Sequence, residues 1–335
     1  MPKKLFLHGV PDTPSMWDPL ISELGLAPGT NLAPAMPGFV DPAPKGFSST
    51  KEAYVDWYLS EIEQAHAEAG PVDLVGHDWG AIITIRAASL KPELIRTWCV
   101  ANALPHPDYK WHSMARMWQT PIVGEIMTAI TRKEQLCKAL HAQGIPADLA
   151  SKEASHWSPH MKTSILRLYR SAKTAGEEWW PEVKNLPARG LVFWGVDDPY
   201  VPVDIADRFC AETGADLLKQ EKTGHWSIIE RADVLAAALE HHWSCTKRKP
   251  HPERIRRTRR GLPKVSTLYP STSLRMKASE KPQTFKAKTR RETPPHCPPT
   301  PQSHNRLPYR SGSADRALRS SSPSLSILPT RSQRN

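Results

Sequence analysis

The chain begins with short apolar runs that alternate with amphipathic or small-residue segments. Residues 54–69 carry apolar side chains at helical spacing, and residues 81–90 are small or apolar almost throughout. Predicted strands cover residues 5–7, 72–75, 94–100 and a run that ends in a turn at 35–39. Because strands alternate with helices, we predict an α/β fold with a mostly parallel, doubly wound sheet. In such sheets the functional site lies at the carboxyl ends of the strands.

The pattern changes between residues 104 and 187, where helical periodicity continues without any run typical of a strand. Predicted helices cover residues 111–118, 125–140, 147–154 and 162–172. Five of the twelve tryptophans also fall in this segment: Trp111, Trp118, Trp157, Trp179 and Trp180. We interpret the segment as an inserted helical cap that brings apolar surface over the site and excludes water. For any single tryptophan, a place in an ordinary core is the simpler alternative.

The strand pattern resumes at residues 190–194, and the last helix is predicted at 231–243. The core is therefore expected to comprise residues 1–103 and 188–243, with the cap inserted at 104–187. Residues 244–335 hold 13 of the 33 prolines, many Ser and Arg residues and little apolar periodicity. Such a segment cannot bury a core, so we predict a basic, disordered tail.

The most specific motif is Gly76-His77-Asp78-Trp79-Gly80, between an apolar strand and an apolar helix. It has the form of a nucleophile elbow, in which small residues permit a sharp strand-to-helix turn that presents the central side chain. Two simpler alternatives exist, a buried Asp in a Gly-rich turn and an N-cap of the following helix.

The central residue, Asp78, determines the chemistry. A carboxylate is already an anion at neutral pH, and its useful target is a saturated carbon that bears a leaving group. Displacement there gives an alkyl ester on Asp78, which water activated by a histidine can hydrolyse. The oxyanion of that second step needs backbone donors, and the candidates are the N–H groups of Trp79 and Val10. Val10 lies in the loop His8-Gly9-Val10-Pro11 after the first strand.

An acid and a histidine follow later in the chain. The strand at 190–194 leads to Asp197 and Asp198, and His225 lies in a turn before the last helix. Asp78, Asp198 and His225 occur in the order nucleophile, acid, histidine that one class of catalytic triads shows. Taken singly, Asp198 could be a turn residue and His225 a satisfied surface histidine. Three such residues in this order are harder to attribute to chance.

Charge divides the chain in two. The formal net charge is +11, but residues 1–243 hold 23 Lys+Arg against 30 Asp+Glu, whereas residues 244–335 hold 22 against 4. The folded part is mildly acidic, so we expect no nucleic-acid binding by it. The basic run at 254–260 could contact RNA or acidic membranes, although a solvated tail explains it equally well.

Cysteine usage and hydropathy favour a cytoplasmic protein without membrane association. The five cysteines form no Cys-x-x-Cys pair and follow no secretory signal, so we expect reduced thiols at Cys99, Cys137, Cys210, Cys245 and Cys297. No apolar run reaches the roughly 18 residues that a spanning helix needs. No metal-ligand cluster or phosphate-binding loop is evident, so we predict neither a metal nor a cofactor.

With this motif and this triad order, residues 4–243 resemble the α/β-hydrolase fold. The carboxylate elbow resembles the branch that contains epoxide hydrolases and haloalkane dehalogenases. The resemblance implies that Asp78 is the nucleophile, His225 the base for the hydrolytic water and Asp198 the acid that orients His225. Asp197 is the alternative acid, although the family's spacing from the strand's glycine favours Asp198.

The leaving group separates the two branches. By the resemblance, a halide needs N–H donors from the tryptophan after the nucleophile and from an asparagine in the His-Gly loop or a cap tryptophan. Trp79 is present, the loop residue is Val10, and Trp118 could serve from the cap. An opening epoxide needs an acid, in the family a pair of cap tyrosines, of which Tyr169 resembles the second. The loop also fits the family's His-Gly-x-Pro. We therefore predict an epoxide hydrolase that forms diols, with haloalkane dehalogenase as the alternative.

Three features depart from the family pattern. Residues 114–119, where the first cap tyrosine is expected, contain no phenol, and Tyr109 lies slightly earlier. Some dehalogenases place the acid after the preceding strand, where this chain has Asn102. Members usually have an antiparallel strand pair before the His-Gly strand, so we expect an incomplete sheet edge. A catalytically impaired remnant or binding protein is therefore a further alternative.

The predicted partners are a small, largely apolar substrate and water. We expect His8, Trp118 and Trp226 to contact this substrate. The expected quaternary state is a monomer or a homodimer.

Overall fold

The computed structural model describes residues 1–244. The predicted tail, apart from Ser244, lies outside the described residues, as do Cys245 and Cys297. Strands are β1 Lys4–Leu7, β2 Asn31–Leu32, β3 Val72–His77, β4 Ile95–Ala101, β5 Gly190–Gly195 and β6 Asp216–Gln220. Helices are α1 Asp18–Leu24, α2 Lys51–Ala69, α3 Trp79–Leu90, α4 Ser113–Gln119, α5 Val123–Ile130, α6 Lys133–Ala142, α7 Ala147–Ser155, α8 Pro159–Ser171, α9 Ala175–Trp179, α10 Val203–Thr213, α11 Ser227–Glu230 and α12 Ala232–Ser244. Short 3₁₀ turns cover Pro14–Trp17, Pro92–Leu94 and Trp180–Asn185.

The six strands form one sheet in the order β2-β1-β3-β4-β5-β6, and every neighbouring pair is parallel. This confirms the predicted parallel sheet. Leu7 pairs with Gly76, and His77 pairs with Ala101, so β1, β3 and β4 end at the same edge. The loops that follow these strands are therefore brought together.

Core residues lie on both faces of the sheet. Leu5 and Leu7 of β1 join a core with α2 and α3, whereas Phe6 joins a second core with α1 and α12. In β3, Leu74 belongs to the first of these cores and Val75 to the second. Strands covered on both faces are mostly apolar, which is why they appear in the sequence as short apolar runs without regular alternation.

The sheet edge beside β1 is short. Among the described residues β2 is the outermost strand on this side, and it contributes only Asn31 and Leu32. The strand expected to end near 35–39 is therefore shorter and earlier than predicted, although the turn at 37–39 is present. No antiparallel pair covers this edge within residues 1–244.

All helices from α4 to α9 lie between β4 and β5 in the chain, and we call them the cap. The single helix predicted at 125–140 is wrong, because the chain turns between α5 and α6. The Thr131 carbonyl accepts a hydrogen bond from the Trp157 indole (2.9 Å), and the Arg132 N–H donates to the Gln135 amide oxygen (2.8 Å). These side chains satisfy the backbone groups that a helix break exposes.

Strand β6 and helix α10 have no counterpart among the predicted elements. Strand β6 is half-buried and carries polar residues at both ends, and α10 joins it to β5. Cys99, Cys137 and Cys210 form no disulfide bond among the described residues. Within residues 1–244, no helix is both long enough and apolar enough to span a membrane.

Candidate active site

Asp78 occupies a strained turn between β3 and α3. Its backbone has φ 51° and ψ −122°, a region that residues with a side chain rarely adopt. Neighbouring glycines make room for the turn: a Cβ on Gly80 would collide with the Leu7 carbonyl oxygen, and one on Gly9 would lie 2.5 Å from the Asp78 Cβ. The Asp78 carboxylate makes no capping bond to α3, so the N-cap alternative does not account for it.

Two backbone N–H groups are directed at the Asp78 carboxylate. The Val10 N–H donates to Oδ1 at 2.8 Å, and the N–H of Trp79 also stabilises the charged form. The other oxygen, Oδ2, lies 3.6 Å from Nε2 of His225. One carboxylate oxygen is thus held by the loop after β1, and the other faces the histidine.

His225 is held on its other side by Asp198, which follows β5. Nδ1 of His225 lies 2.8 Å from Asp198 Oδ2. The second oxygen of Asp198 accepts the N–H groups of Tyr200 (2.7 Å) and Val201 (3.1 Å). Asp197 is exposed. The structure therefore brings Asp78, His225 and Asp198 into one chain of contacts, and it leaves Asp197 outside.

Asn102, at the end of β4, is part of this network. Its amide nitrogen donates to Asp198 Oδ2 at 2.8 Å, and its carbonyl oxygen accepts the Ser227 hydroxyl at 2.5 Å. Asn102 is fully buried and has a positive φ of 57°. The sequence shows only that this position lacks a carboxylate; its contact with Asp198 depends on how β4 and β5 align.

The triad charges shift one another's pKa values. Burial lowers the pKa of His225, but the charges of Asp198 and Asp78, with their hydrogen bonds, raise it well above its usual value. Burial raises the pKa of Asp78, yet the hydrogen bond and charge of His225 hold it below its usual value. The resting site is therefore an ion pair of a carboxylate and a protonated imidazole.

A cavity of about 430 Å³ opens above Asp78, between the core and the cap. This volume is typical of a small-molecule site. It is lined by the predicted residues Val10, Asp78, Trp118, Tyr169, His225 and Trp226. Cap residues such as Met127, Ile130 and Leu136 make much of the remaining wall apolar.

Tyr169 of α8 is buried over the nucleophile. Its ring lies edge-on to Trp79 and Trp118, with centroids 5.2 Å and 5.0 Å apart. Burial, with the charge of Asp78, raises the pKa of Tyr169 well above its usual value, and the Trp79 side chain partly opposes this. The phenol therefore keeps its proton beside the carboxylate. The Trp79 side chain itself does not line the 430 Å³ cavity but a smaller space beside Asp78.

Tyr200 is a second phenol in the cavity that we did not anticipate. Its ring lies edge-on to His225, with centroids 4.9 Å apart, and burial together with the charges of Asp198 and Asp78 raises its pKa. Tyr109, considered as a substitute for the first cap tyrosine, directs its hydroxyl at the Tyr200 carbonyl oxygen (3.4 Å). The sequence gives one indication that Tyr200 belongs to the site, because Tyr200 follows Asp198 by two residues at the end of a strand.

His8 does not lie on the cavity wall, contrary to the expectation that it contacts substrate. The side chain is fully buried, with Nδ1 donating to the Gly9 carbonyl (2.9 Å) and Nε2 accepting the Met36 N–H (3.0 Å). Burial lowers the pKa of His8 to about 4, so the ring is neutral. His8 therefore shapes the loop that carries Val10.

A second layer of polar groups supports the histidine. His77 lies 2.9 Å from the His225 carbonyl oxygen through Nε2, and its Nδ1 is 3.6 Å from the buried carboxylate of Asp12. The Trp226 indole donates to both oxygens of Asp12, at 3.1 and 3.2 Å. The Trp226 N–H is thereby engaged away from the cavity, which the indole ring lines with apolar surface.

Comparison with known proteins gives one family. A sequence profile described as alpha/beta hydrolase family matches residues 5–238. The AB hydrolase superfamily protein YfhM of Bacillus subtilis (strain 168) is 25% identical over 256 residues, which cover 70% of this chain and 87% of that protein.

Solved structures of similar fold include hydrolases of different substrates. A 2-hydroxy-6-oxo-6-phenylhexa-2,4-dienoate hydrolase from Rhodococcus sp. strain RHA1 superposes with a TM-score of 0.61 at 20% identity, covering 73% of this chain and 91% of that one. An epoxide hydrolase from Vigna radiata gives 0.56 at 22% identity, covering 72% and 91%. At these identities the likeness concerns the fold alone.

Proposed function

The chain belongs to the alpha/beta hydrolase family, and from that premise we propose that it opens epoxides to diols through a covalent ester on Asp78. One observation carries the proposal. The backbone donor of Val10 is directed at the carboxylate of Asp78 itself, 2.8 Å from Oδ1. A donor in this place stabilises an oxyanion that forms on Asp78, as hydrolysis of an aspartyl ester requires.

In the first step, Oδ2 of Asp78 attacks one epoxide carbon, and the bond from that carbon to the epoxide oxygen breaks. The oxygen leaves as an alkoxide that remains attached through the other carbon. Tyr169 and Tyr200 line the same cavity and are protonated, so they donate hydrogen bonds and a proton to this oxygen. In this proposal Tyr200, from the core, takes the place of the tyrosine missing from residues 114–119.

In the second step, water attacks Cγ of the Asp78 ester while His225 takes a proton from the water. The negative charge develops on Oδ1, against the N–H groups of Val10 and Trp79. Collapse of this intermediate breaks the ester bond, and the leaving oxygen takes the proton that His225 holds to become the second hydroxyl of the diol. The carboxylic acid left on Asp78 then gives its proton to His225, which restores the ion pair. Asp198 holds His225 and stabilises its positive charge.

Ester formation also prepares the base. In the free site, the Asp78 charge helps to raise the pKa of His225, so the imidazole holds a proton. The ester is neutral, and this contribution to the pKa of His225 is lost when the ester forms. The imidazolium then gives up its proton more readily, and this proton replaces the one that the tyrosine donated in the first step. The neutral ring can now accept a proton from water.

Haloalkane dehalogenation is the second candidate, because Trp118 lies on the cavity wall and no hydrogen bond from its indole is formed within residues 1–244. An indole N–H is a suitable donor to a departing halide. Two observations favour the epoxide. A departing halide needs no proton, whereas the two phenols beside Asp78 can protonate an alkoxide, and the Trp79 side chain interacts with Tyr169. The assembled triad also favours turnover over a catalytically impaired remnant.

The proposal is tested by product analysis with aryl and alkyl epoxides and haloalkanes, scoring diol and halide separately. Diol should form with wild type and disappear with Asp78→Ala. Tyr169→Phe and Tyr200→Phe should each reduce the rate by about 100-fold, which is typical for loss of a general acid. Tyr109→Phe, whose hydroxyl contacts only backbone, is the matched control and should retain most activity.

Two outcomes would contradict the epoxide proposal. Halide release that is lost in Asp78→Ala but kept in both tyrosine variants would place the protein among dehalogenases. Absence of both products from a wild-type protein with a cooperative melting transition would favour the binding-protein alternative.

A further inference from the structure

A second cleft, of about 360 Å³, opens on the flank of the cap. It lies between residues 104–111, the end of α4 and residues 173–177 before and within α9. Tyr109 and Trp111 line this cleft, and they also line the small space beside Asp78. Asp78, Tyr200 and His225 do not reach the cleft, so it is a different site from the 430 Å³ cavity.

The cleft concentrates positive charge. Lys110, Arg116 and Lys173 line it, against a single acid, Glu177. No ion pair holds any of these three cations within the part of the chain that the structure describes. Three unpaired cations around one concavity attract an anion.

A buried amide on the cleft wall also lacks a partner. Gln119, at the end of α4, is 7% exposed, and its side-chain nitrogen is shielded from solvent without a hydrogen-bond partner. Buried polar groups normally have one, so an unpaired amide calls for an explanation. The terminal torsion of Gln is soft, and turning the amide presents its two N–H groups to the cleft.

We propose that this cleft binds a small oxyanion, a carboxylate or a phosphate. Lys110, Arg116 and Lys173 supply the charge, and the guanidinium of Arg116 matches the two oxygens of such a group. Gln119 supplies a neutral donor that closes the inner wall. Trp111 stacks on Trp79, the residue after the nucleophile, with centroids 5.7 Å apart. An occupant of the cleft therefore contacts Trp111, which also lines the small space beside Asp78.

The test is calorimetric titration of the full chain with inorganic phosphate and, separately, with succinate, in a buffer free of other oxyanions. Saturable binding should weaken as salt is added, because exposed charges are screened. Residues 244–335 add 22 Lys+Arg that also attract anions, so the result depends on variants within the same full chain. Succinate binding without phosphate binding would identify a carboxylate site, and the reverse a phosphate site.

Lys110→Met and Arg116→Met should each weaken binding by about 10-fold, the effect expected for loss of one charge-assisted contact. Gln119→Leu, which keeps the volume and adds no charge, should weaken it without loss of the melting transition. Lys138→Met removes an exposed cation of α6 outside the cleft and is the matched control. Absence of saturable binding to either anion, or equal binding by the control and the cleft variants, would overturn the proposal.

Discussion

Asp78 and His225 form an ion pair whose protonation is coupled to the proposed reaction. Asp198 keeps its negative charge because the charge of His225 and donors from Asn102 and Tyr200 lower its pKa against the effect of burial. The imidazole is therefore flanked by two carboxylates, of which only Asp78 is consumed by ester formation. Asn102 donates to the same Asp198 oxygen that contacts His225, so it moderates the attraction of Asp198 for His225.

We predict that Asn102→Leu lowers the rate of ester hydrolysis by about 10- to 100-fold, the cost of removing a hydrogen bond to a charged group. Without the Asn102 donor, Asp198 Oδ2 holds the imidazolium more strongly, so the pKa of His225 rises. The limb of the pH–rate profile that reports His225 should then move to higher pH. An unchanged profile with a uniformly lower rate would indicate only a structural role. The Ser227 hydroxyl donates to the amide oxygen of Asn102, so Ser227→Ala should move the pH–rate profile in the same direction by a smaller amount.

Single residues were predictable from sequence where a motif fixes them. Asp78 and Asp198 each follow an apolar strand, so their place at one sheet edge follows from the parallel order. Asn102 and Tyr200 could not be assigned in this way, because their roles depend on contacts between separate loops. The prediction for His8 is wrong for the reverse reason: a histidine in a loop beside the site is expected to face substrate, whereas backbone groups occupy both of its ring nitrogens.

The elbow is the element on which the site depends. β3 lies between β1 and β4, and α3 starts directly after Asp78, so the helix passes close to the end of β1. This close approach leaves no space for a side chain at Gly80, whose Cβ would collide with the Leu7 carbonyl. The Gly in the first turn of α3 is therefore required by contact with β1 and not by helix preference.

For Gly80→Ala, helix propensity and the collision with β1 predict opposite changes in stability. Helix propensity alone favours Ala over Gly by about 1 kcal/mol. Because of the collision with Leu7, we instead expect a loss of at least ~2 kcal/mol in the free energy of unfolding, typical of overpacking in a tight core. Urea denaturation measures this, with Leu90→Ala at the exposed end of α3 as the control. Stabilisation by Gly80→Ala would show that β1 and α3 are further apart than described.

Among the secondary-structure elements, sequence patterns located the core strands better than the cap helices. β1, β3, β4 and β5 are buried on both faces, so composition alone marks them. The break between α5 and α6 leaves the apolar periodicity almost continuous. The indole that satisfies the exposed Thr131 carbonyl comes from Trp157, which is distant in sequence. β6 is half-buried, and its polar ends weaken the strand pattern.

For the whole molecule, the contact between cap and core includes a buried acid. Glu153 of α7 accepts hydrogen bonds from the hydroxyls of Thr13 (3.1 Å) and Ser15 (2.7 Å) in the core, and its second oxygen has no partner. Burial, reinforced by the charge of Asp12, raises the pKa of Glu153 from 4.5 to about 7. The protonated acid therefore fits this junction better than the carboxylate does.

The sign of the resulting pH dependence follows from the raised pKa. The stability contributed by Glu153 is fully present below pH 4.5 and is lost as the pH rises through about 7. We predict that the free energy of unfolding falls by up to ~3 kcal/mol across this window and that Glu153→Gln removes much of the fall. Denaturation at several pH values tests this, with the exposed Glu134→Gln as control. An equal pH dependence in wild type and Glu153→Gln would contradict it.

The measurement that most directly tests the proposed reaction is mass spectrometry of His225→Gln after incubation with an epoxide substrate. This variant can form the ester but lacks the base for its hydrolysis, so an adduct with the mass of the intact epoxide should accumulate on the peptide that contains Asp78. The double variant with Asp78→Ala should show none. The covalent mechanism would be contradicted if wild type turned over the epoxide while His225→Gln showed no adduct. An adduct on a residue other than Asp78 would contradict it as well.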